Sequence, residues 1–232
     1  MSSKKPSSTD PIWLMFIIIC KFSFLFQNGR IFSSFKIIIS ITWVLAVFYH
    51  FRGVLLQRKN RLNEAAEEYK KAIHFRPKLV LAHLNLGMTY ESLGFKKEGL
   101  KVLQSISSIP DDGLKDPKTH KEAQTSALFN SGKLLLEVGH PSEAIRKLLE
   151  AHKNLLNVHS LNGRSNLSTN LPTLQAVLNL LGEANRFMNK TEEAERYYLA
   201  ALKVKPDHIP AYLTYGKLLA KNVSTICFYL YH

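Results

Sequence analysis

The sequence predicts an all-α fold, a solenoid of antiparallel helical hairpins preceded by an apolar N-terminal segment. Three observations carry this expectation. Gly53 and Gly87 lie 34 residues apart, and so do Gly182 and Gly216, with Gly132 between them at a looser spacing. A fixed period of this length marks stacked helix pairs, each too small to bury its apolar face alone. Alanine, aromatic and proline residues then recur at constant offsets from the glycines. Finally, Cys20 and Cys227 both lie outside the periodic region, so no disulfide or thiolate–metal framework organises it.

Residues 1–52 differ in composition from the rest of the chain. Eight of the thirteen phenylalanines and nine isoleucines fall between residues 11 and 51. Two apolar runs stand out, Ile12 to Phe26, interrupted by Lys21, and Ile37 to Phe51. Each falls somewhat short of the roughly 20 residues that span a bilayer. Lys4 and Lys5 ahead of an apolar stretch imitate a signal peptide, but no clear small-residue cleavage site follows. Two readings fit the segment: a membrane anchor at 12–51, or translated intron. Phe51-Arg52 is encodable with an intron-ending TTTAG, and Val223-Ser224 with the splice donor GTGAGT.

The repeat begins at about residue 46. A tetratricopeptide repeat places Gly at position 8, Ala at 20, a large apolar residue at 24, Ala at 27 and Pro at 32. The unit from 46 supplies Gly53, Ala65, Tyr69, Ala72 and Pro77. Small residues let the two helices of a hairpin approach, the large residue fills the gap, and proline ends the second helix. The unit from 80 keeps Gly87 and Tyr90, with Gly99, Leu103 and Ile106 standing in for second-helix residues. An insertion follows at about Ser108 to Gln124. Its Pro110-Asp111-Asp112-Gly113 run reads as a turn with solvated carboxylates rather than a metal or sugar-nucleotide site.

The unit from 125 has Gly132, Ala144, Leu148 and Ala151, but Leu156 replaces the proline. A polar, Asn- and Ser-rich stretch from His159 to Thr173 then reads as an exposed loop. The unit from 175 is complete, with Gly182, Ala194, Tyr198, Ala201 and Pro206. The unit from 209 has Tyr212, Gly216 and Leu219 and is incomplete, and the tail 223–232 leaves the repeat phase. Its apolar face, Tyr212 to Leu219, is expected to lie open to solvent. Residues 53–222 therefore form the repeat domain.

Three Asn-x-Ser/Thr sequences occur, at Asn166, Asn189 and Asn222. The first two are candidate N-glycosylation sites, and the third lies on the boundary with the tail. Asn189 also stands where it could cap the following helix, with Glu192 three residues on. The formal net charge of +13 is compatible with nucleic acid or anionic membrane. The basic residues are scattered over helix faces and no nucleic-acid-binding motif is present, which excludes that class. No metal-ligand spacing is found, and no cofactor is expected in this chain. His152 and His159 read as solvated.

Two strings go beyond the generic repeat. One is Ile109-Pro110-Asp111-Asp112-Gly113-Leu114-Lys115-Asp116-Pro117, followed by His120-Lys121. The other is Asp207-His208-Ile209-Pro210-Ala211-Tyr212-Leu213-Thr214-Tyr215-Gly216-Lys217-Leu218-Leu219-Ala220. Both resemble the transmembrane and tetratricopeptide-repeat-containing protein family, over about residues 53–222. The resemblance implies an endoplasmic reticulum membrane protein O-mannosyltransferase, with a multi-spanning N-terminal half that uses dolichyl-phosphate mannose and a luminal repeat half. It implies cadherins as acceptors. The family's catalytic acids belong to the transferase half, whereas residues 1–52 hold one acid, Asp10. No catalytic residue is carried over, and this chain matches part of the repeat half only.

Stacked hairpins line a concave face with their first helices. The groove positions hold Leu84, Met88, Phe129, Lys133, Asn179, Glu183, Arg186, Leu213 and Lys217. This mixture of apolar and charged residues suits a protein segment or extended peptide. The residue after each repeat glycine is Val54, Met88, Lys133, Glu183 or Lys217. None is the asparagine of repeats that clamp chaperone carboxylate tails. The expected function is a protein-interaction module that recruits acceptor protein for a transferase. The alternatives are an enzyme with catalysis retained in this chain, a cytosolic scaffold or co-chaperone-like adaptor, and a nonfunctional truncated product.

Overall fold

Proline and glycine set the helix boundaries in the computed structural model, which describes residues 31–110, 116–162 and 171–231, with side chains over 40–110, 116–157 and 171–220. Nine α-helices follow one another among the described residues. They are α1 (Ile31–Arg58), α2 (Leu62–Phe75), α3 (Val80–Ser92), α4 (Lys96–Ser105), α5 (Pro117–Val138), α6 (Pro141–Asn162), α7 (Leu174–Phe187), α8 (Thr191–Val204) and α9 (Ile209–Tyr231). A single 3₁₀ turn, Ile106–Ser108, extends α4.

Helices α2 and α8 are 14 residues each, rich in Ala, Glu, Lys and Leu, which favour helix. Both stop just before a proline. Arg76 and Lys205 adopt φ −143°, ψ 89° and φ −141°, ψ 99°, because a following proline ring crowds the helical conformation. Helix α6 lacks that stop, having Leu156 where the proline belongs, and runs on to 22 residues. At its start, α5 carries Pro117 at its first turn, and Asp116 accepts a hydrogen bond from the Thr119 N–H at 3.1 Å. This acid of the insertion is therefore a helix cap. The Thr119 hydrogen bonds hold its carboxyl below the usual range. Asp111 to Lys115 lie outside the described residues.

Each hairpin turns through one left-handed residue: Asn60 (φ 59°), Gly94 (φ 85°), Gly139 (φ 89°) and Asn189 (φ 57°). All four are position 15 of their units. The residue after each donates its N–H five residues back, Arg61 to Leu56, Phe95 to Tyr90, His140 to Leu135 and Lys190 to Asn185, at 2.8–2.9 Å. This is the Schellman closure, which glycine and asparagine tolerate best. It corrects the expected cap at Asn189. A left-handed residue closing one helix cannot hold the extended conformation of an N-cap, and Lys190 takes that place without a side-chain bond.

The small-to-large packing is direct. A Cβ on Gly53 would lie 2.6 Å from Tyr69 Cε1, one on Gly87 2.6 Å from Leu103 Cγ, one on Gly132 2.6 Å from Leu148 Cγ, and one on Gly182 2.5 Å from Tyr198 Cε1. The large residue is sixteen positions on in every case. Gly99, which stands where alanine is usual, faces the Gly87 carbonyl so closely that a Cβ would come within 3.0 Å. The core is divided accordingly. One cluster groups Ala65, Ala66, Tyr69 and Leu86, another groups Val80, Leu84, Leu103 and Leu134, and a third groups Leu135, Leu148, Leu155 and Leu181. Glu68, 5% exposed, sits between Arg52 at 3.3 Å and Lys71 at 2.8 Å.

Helix α1 continues without a break from the second apolar run into the first helix of the repeat unit from 46. The expected boundary at 52/53 falls inside it. No helix among the described residues is long and apolar enough to cross a membrane. The run from Ile12 to Phe26 lies outside the described residues.

Candidate functional site

Successive first helices contact one another: α1 with α3, α3 with α5, α5 with α7 and α7 with α9. Among the described residues, the second helices α2, α4, α6 and α8 make no such contacts with each other. Close spacing on one side and wide spacing on the other curve the stack toward the first helices. Their outward surface is thus the inner wall of the solenoid.

The expected groove residues divide into two groups on this wall. Leu84 and Asn179 are 3% and 7% exposed. Met88 and Phe129 are half-buried, packed against the clusters of neighbouring repeats. These four join repeat to repeat. Lys133, Leu213 and Lys217 are exposed, and Glu183 and Arg186 half-exposed. Lys133 reaches back to Glu91 of α3 at 2.6 Å, and this hydrogen bond raises its pKa. Glu183 pairs with Arg186 at 3.7 Å. The wall thus carries ion pairs beside apolar side chains.

Polar contacts absent from the expected set also cross between first helices. His50 Nε2 meets Asn85 Nδ2 at 3.0 Å, and Thr214 Oγ1 donates to Asn179 Oδ1 at 2.6 Å. Each contact links position 5 of one unit with position 6 of the next. Burial holds the His50 imidazole below its ordinary pKa. Behind these contacts lie the large aromatics of the two complete units. Tyr69 donates to Gln57 Oε1 at 2.7 Å, and burial raises its hydroxyl to about 12. Tyr198 is fully buried, its hydroxyl raised chiefly by burial, with Arg186 nearby acting in the opposite sense. The 35-residue separation of His50 from Asn85 and of Asn179 from Thr214 was the signal for these contacts.

Helix α6 runs through His159 to Asn162, so the start of the stretch expected to be a loop is helical, and Asn166 lies outside the described residues. Asn189 is exposed in its turn. His152 is half-buried, and burial lowers its pKa. No group of three or more His, Cys, Asp or Glu among the described residues is arranged to hold a metal ion.

Comparison with known proteins agrees with the architecture. A TPR repeat model matches residues 55–94 and a tetratricopeptide repeat model residues 176–208. Protein O-mannosyl-transferase TMTC2 of Homo sapiens is 41% identical over 124 residues, 53% of this chain and 13% of that protein. Protein O-mannosyl-transferase Tmtc2 of Drosophila melanogaster is 33% identical over 207 residues, 74% of this chain and 21% of that protein. Among solved structures, a MamA protein superposes with a TM-score of 0.56 at 20% identity, covering 75% of this chain and 80% of that one. YrrB, described as a TPR protein with an unusual peptide-binding site, superposes with a TM-score of 0.54 at 19% identity, covering 76% and 77%. At these identities the solved structures speak for the fold alone. The chain therefore carries tetratricopeptide repeats and is similar to a part of the TMTC protein O-mannosyl-transferases, spanning about 13% of the TMTC2 relative from Homo sapiens.

Proposed function

We propose that the inner wall binds an extended segment of an acceptor protein and presents it to a protein O-mannosyltransferase in the endoplasmic reticulum lumen. The observation that carries this reading is the wall itself. It is a surface of first helices on which Lys133, Glu183, Arg186 and Lys217 stand with the exposed apolar Leu213. An extended polypeptide offers backbone groups and side chains of both kinds, and a rigid curved wall engages it with little reorganisation of its own. The transferase setting rests on the similarity to the TMTC proteins, and the peptide ligand is also in keeping with the peptide-binding site described for YrrB. The chain binds and orients; catalysis belongs to the transferase.

The test is site-specific photocrosslinking. Benzoylphenylalanine replaces Lys133 or Lys217 on the wall, or Lys101 on a second helix, and the chain is mixed with a cadherin ectodomain. Crosslinks at 133 and 217 but not at 101 are expected. Equal labelling at all three positions, or none at the wall, would remove the groove from consideration. Mannosyl transfer from dolichyl-phosphate mannose by the purified chain, above a no-protein control, would instead make the chain itself the enzyme.

A further inference from the structure

One polar constellation occurs at both complete units, but only one copy is satisfied. His50, Gln57 and Tyr69, with Asn85 of the next unit, correspond position for position to Asn179, Arg186 and Tyr198, with Thr214 of the next unit. Both tyrosines are fully buried, with the ring over the repeat glycine. In the first copy the groups close on one another. Tyr69 donates to Gln57 Oε1 at 2.7 Å, and His50 Nε2 meets Asn85 Nδ2 at 3.0 Å. In the second copy Thr214 donates to Asn179 Oδ1 at 2.6 Å. The Tyr198 hydroxyl, with Arg186, Glu183 and Thr214 around it, is enclosed yet makes no hydrogen bond. The cause is a change of chemistry at one position. Gln57 offers a carbonyl oxygen, whereas the guanidinium of Arg186 has donors only.

The guanidinium is as poorly engaged as the hydroxyl. Its contact with Glu183 is 3.7 Å, longer than a hydrogen bond. Its other neighbour is the apolar Phe187 ring, 4.6 Å away at the centroid. Donors of two kinds therefore meet at the seam of α7 and α9 with too few acceptors, and a buried donor left without one is costly. Lys217, one turn beyond Thr214 on α9, is exposed and adds positive charge. We propose that this seam is a subsite for a carboxylate of the peptide on the wall, an Asp or Glu side chain that accepts hydrogen bonds from Arg186 and from the Tyr198 hydroxyl. The subsite rests on the reading of the wall as a peptide-binding surface, and it names the chemistry of one anchor there. A carboxylate only accepts hydrogen bonds, and a guanidinium can engage it through two parallel bonds. Arg186 swings toward the incoming acid and uncovers the hydroxyl. What it gives up is the loose contact with Glu183, which competes for the same guanidinium.

Random phage-displayed peptides selected on the full chain serve as the probe, and retained sequences are synthesised with fluorescein and titrated by anisotropy. The retained peptides are expected to share an acid at one position. Changing that acid to its amide, or Arg186→Gln in the chain, should each weaken binding about tenfold, the scale of a hydrogen bond to a charged group. The two changes together should weaken it little further than either alone. Tyr198→Phe should also weaken binding, and Glu183→Gln, which removes the competitor, should tighten it. Without peptide, Tyr198→Phe should leave the melting temperature unchanged because no hydrogen bond is lost, whereas Tyr69→Phe should lower it. No shared acid, additive losses, weaker binding to Glu183→Gln, or equal melting losses for the two tyrosine variants overturns the subsite. Peptides released by Lys133→Glu or Leu213→Asp but indifferent to Arg186→Gln leave the wall standing and overturn the subsite alone. Peptides indifferent to all three, or no retained peptide, overturn the wall reading with it.

Discussion

Thr214 donates its hydroxyl hydrogen to Asn179 Oδ1 at 2.6 Å across the seam between α7 and α9. The two residues are 35 positions apart, as are His50 and Asn85 at the seam between α1 and α3. The same rung at the intermediate seams is apolar at one or both positions: Leu84 precedes Asn130, and Phe129 precedes Leu180. Asn130 there turns back to the Ser126 carbonyl at 2.9 Å. The solenoid thus joins its two complete units to their successors by polar rungs.

Breaking a rung should be costly because it strands a buried acceptor. Thr214→Val keeps the shape of the side chain and leaves Asn179, 7% exposed, short of a donor. A loss of about 1–2 kcal/mol is expected, measured by urea denaturation. In Asn179→Leu the same threonine change should cost much less, so a double-mutant cycle would show the coupling.

Three glycine substitutions should separate by mechanism. Gly182→Ala drives a methyl group into the Tyr198 ring and should destabilise by about 1–3 kcal/mol. Gly94→Ala meets open space but must hold φ 85°, costing about 1 kcal/mol. Gly216→Ala has neither penalty and should raise helix stability by about 0.5–1 kcal/mol. Melting temperatures in that rank order are the check, and equal shifts would sink the distinction.

Asn60 and Asn189 close their hairpins in the left-handed region. Replacing either with glycine should leave stability nearly unchanged, whereas valine, whose branched Cβ resists that conformation, should cost more than 1 kcal/mol, a rough figure for strain of this kind. Asn189 is also the exposed acceptor of an Asn-Lys-Thr sequence. Directed to the endoplasmic reticulum, the chain is expected to gain a glycosidase-sensitive mass at Asn189 that Asn189→Gln removes.

Acidification should weaken the fold before any carboxylate titrates. Burial lowers the pKa of His50, His152 and His208, with Lys205 adding to the shift at His208. The unfolded chain therefore binds protons more readily than the folded one. Stability is fully present above the unfolded value of about 6.5 and falls as the pH drops below it toward the folded values. His50 lies against Asn85 and the rings of Phe51 and Tyr69, so His50→Gln should flatten the pH dependence between 7 and 5. An unchanged slope in chemical denaturation would assign the effect to the other histidines.

The hairpins were legible because their rules are local and repeated. Glycine and the large residue sixteen positions later, and proline after the second helix, each act within one unit. Gly53 with Tyr69 and Gly182 with Tyr198 meet where the spacing puts them. The left-handed turn position held by Asn60, Gly94, Gly139 and Asn189 was not singled out in the sequence, and at Asn189 the capping sequence pointed to a competing local role. The wall was harder to read. Leu84 and Asn179 occupy groove positions by number, yet the neighbouring first helix covers them, because the distance between repeats is set by side chains from two units at once.

The sequence by itself determined that the chain folds as tetratricopeptide hairpins and where each hairpin turns, since those features depend on steric rules within about 34 residues. Tertiary structure alone decided which wall residues remain available and that Asn179 is joined to Thr214. Those outcomes depend on what packs against each helix from elsewhere in the fold. A single repeat unit does not contain that information.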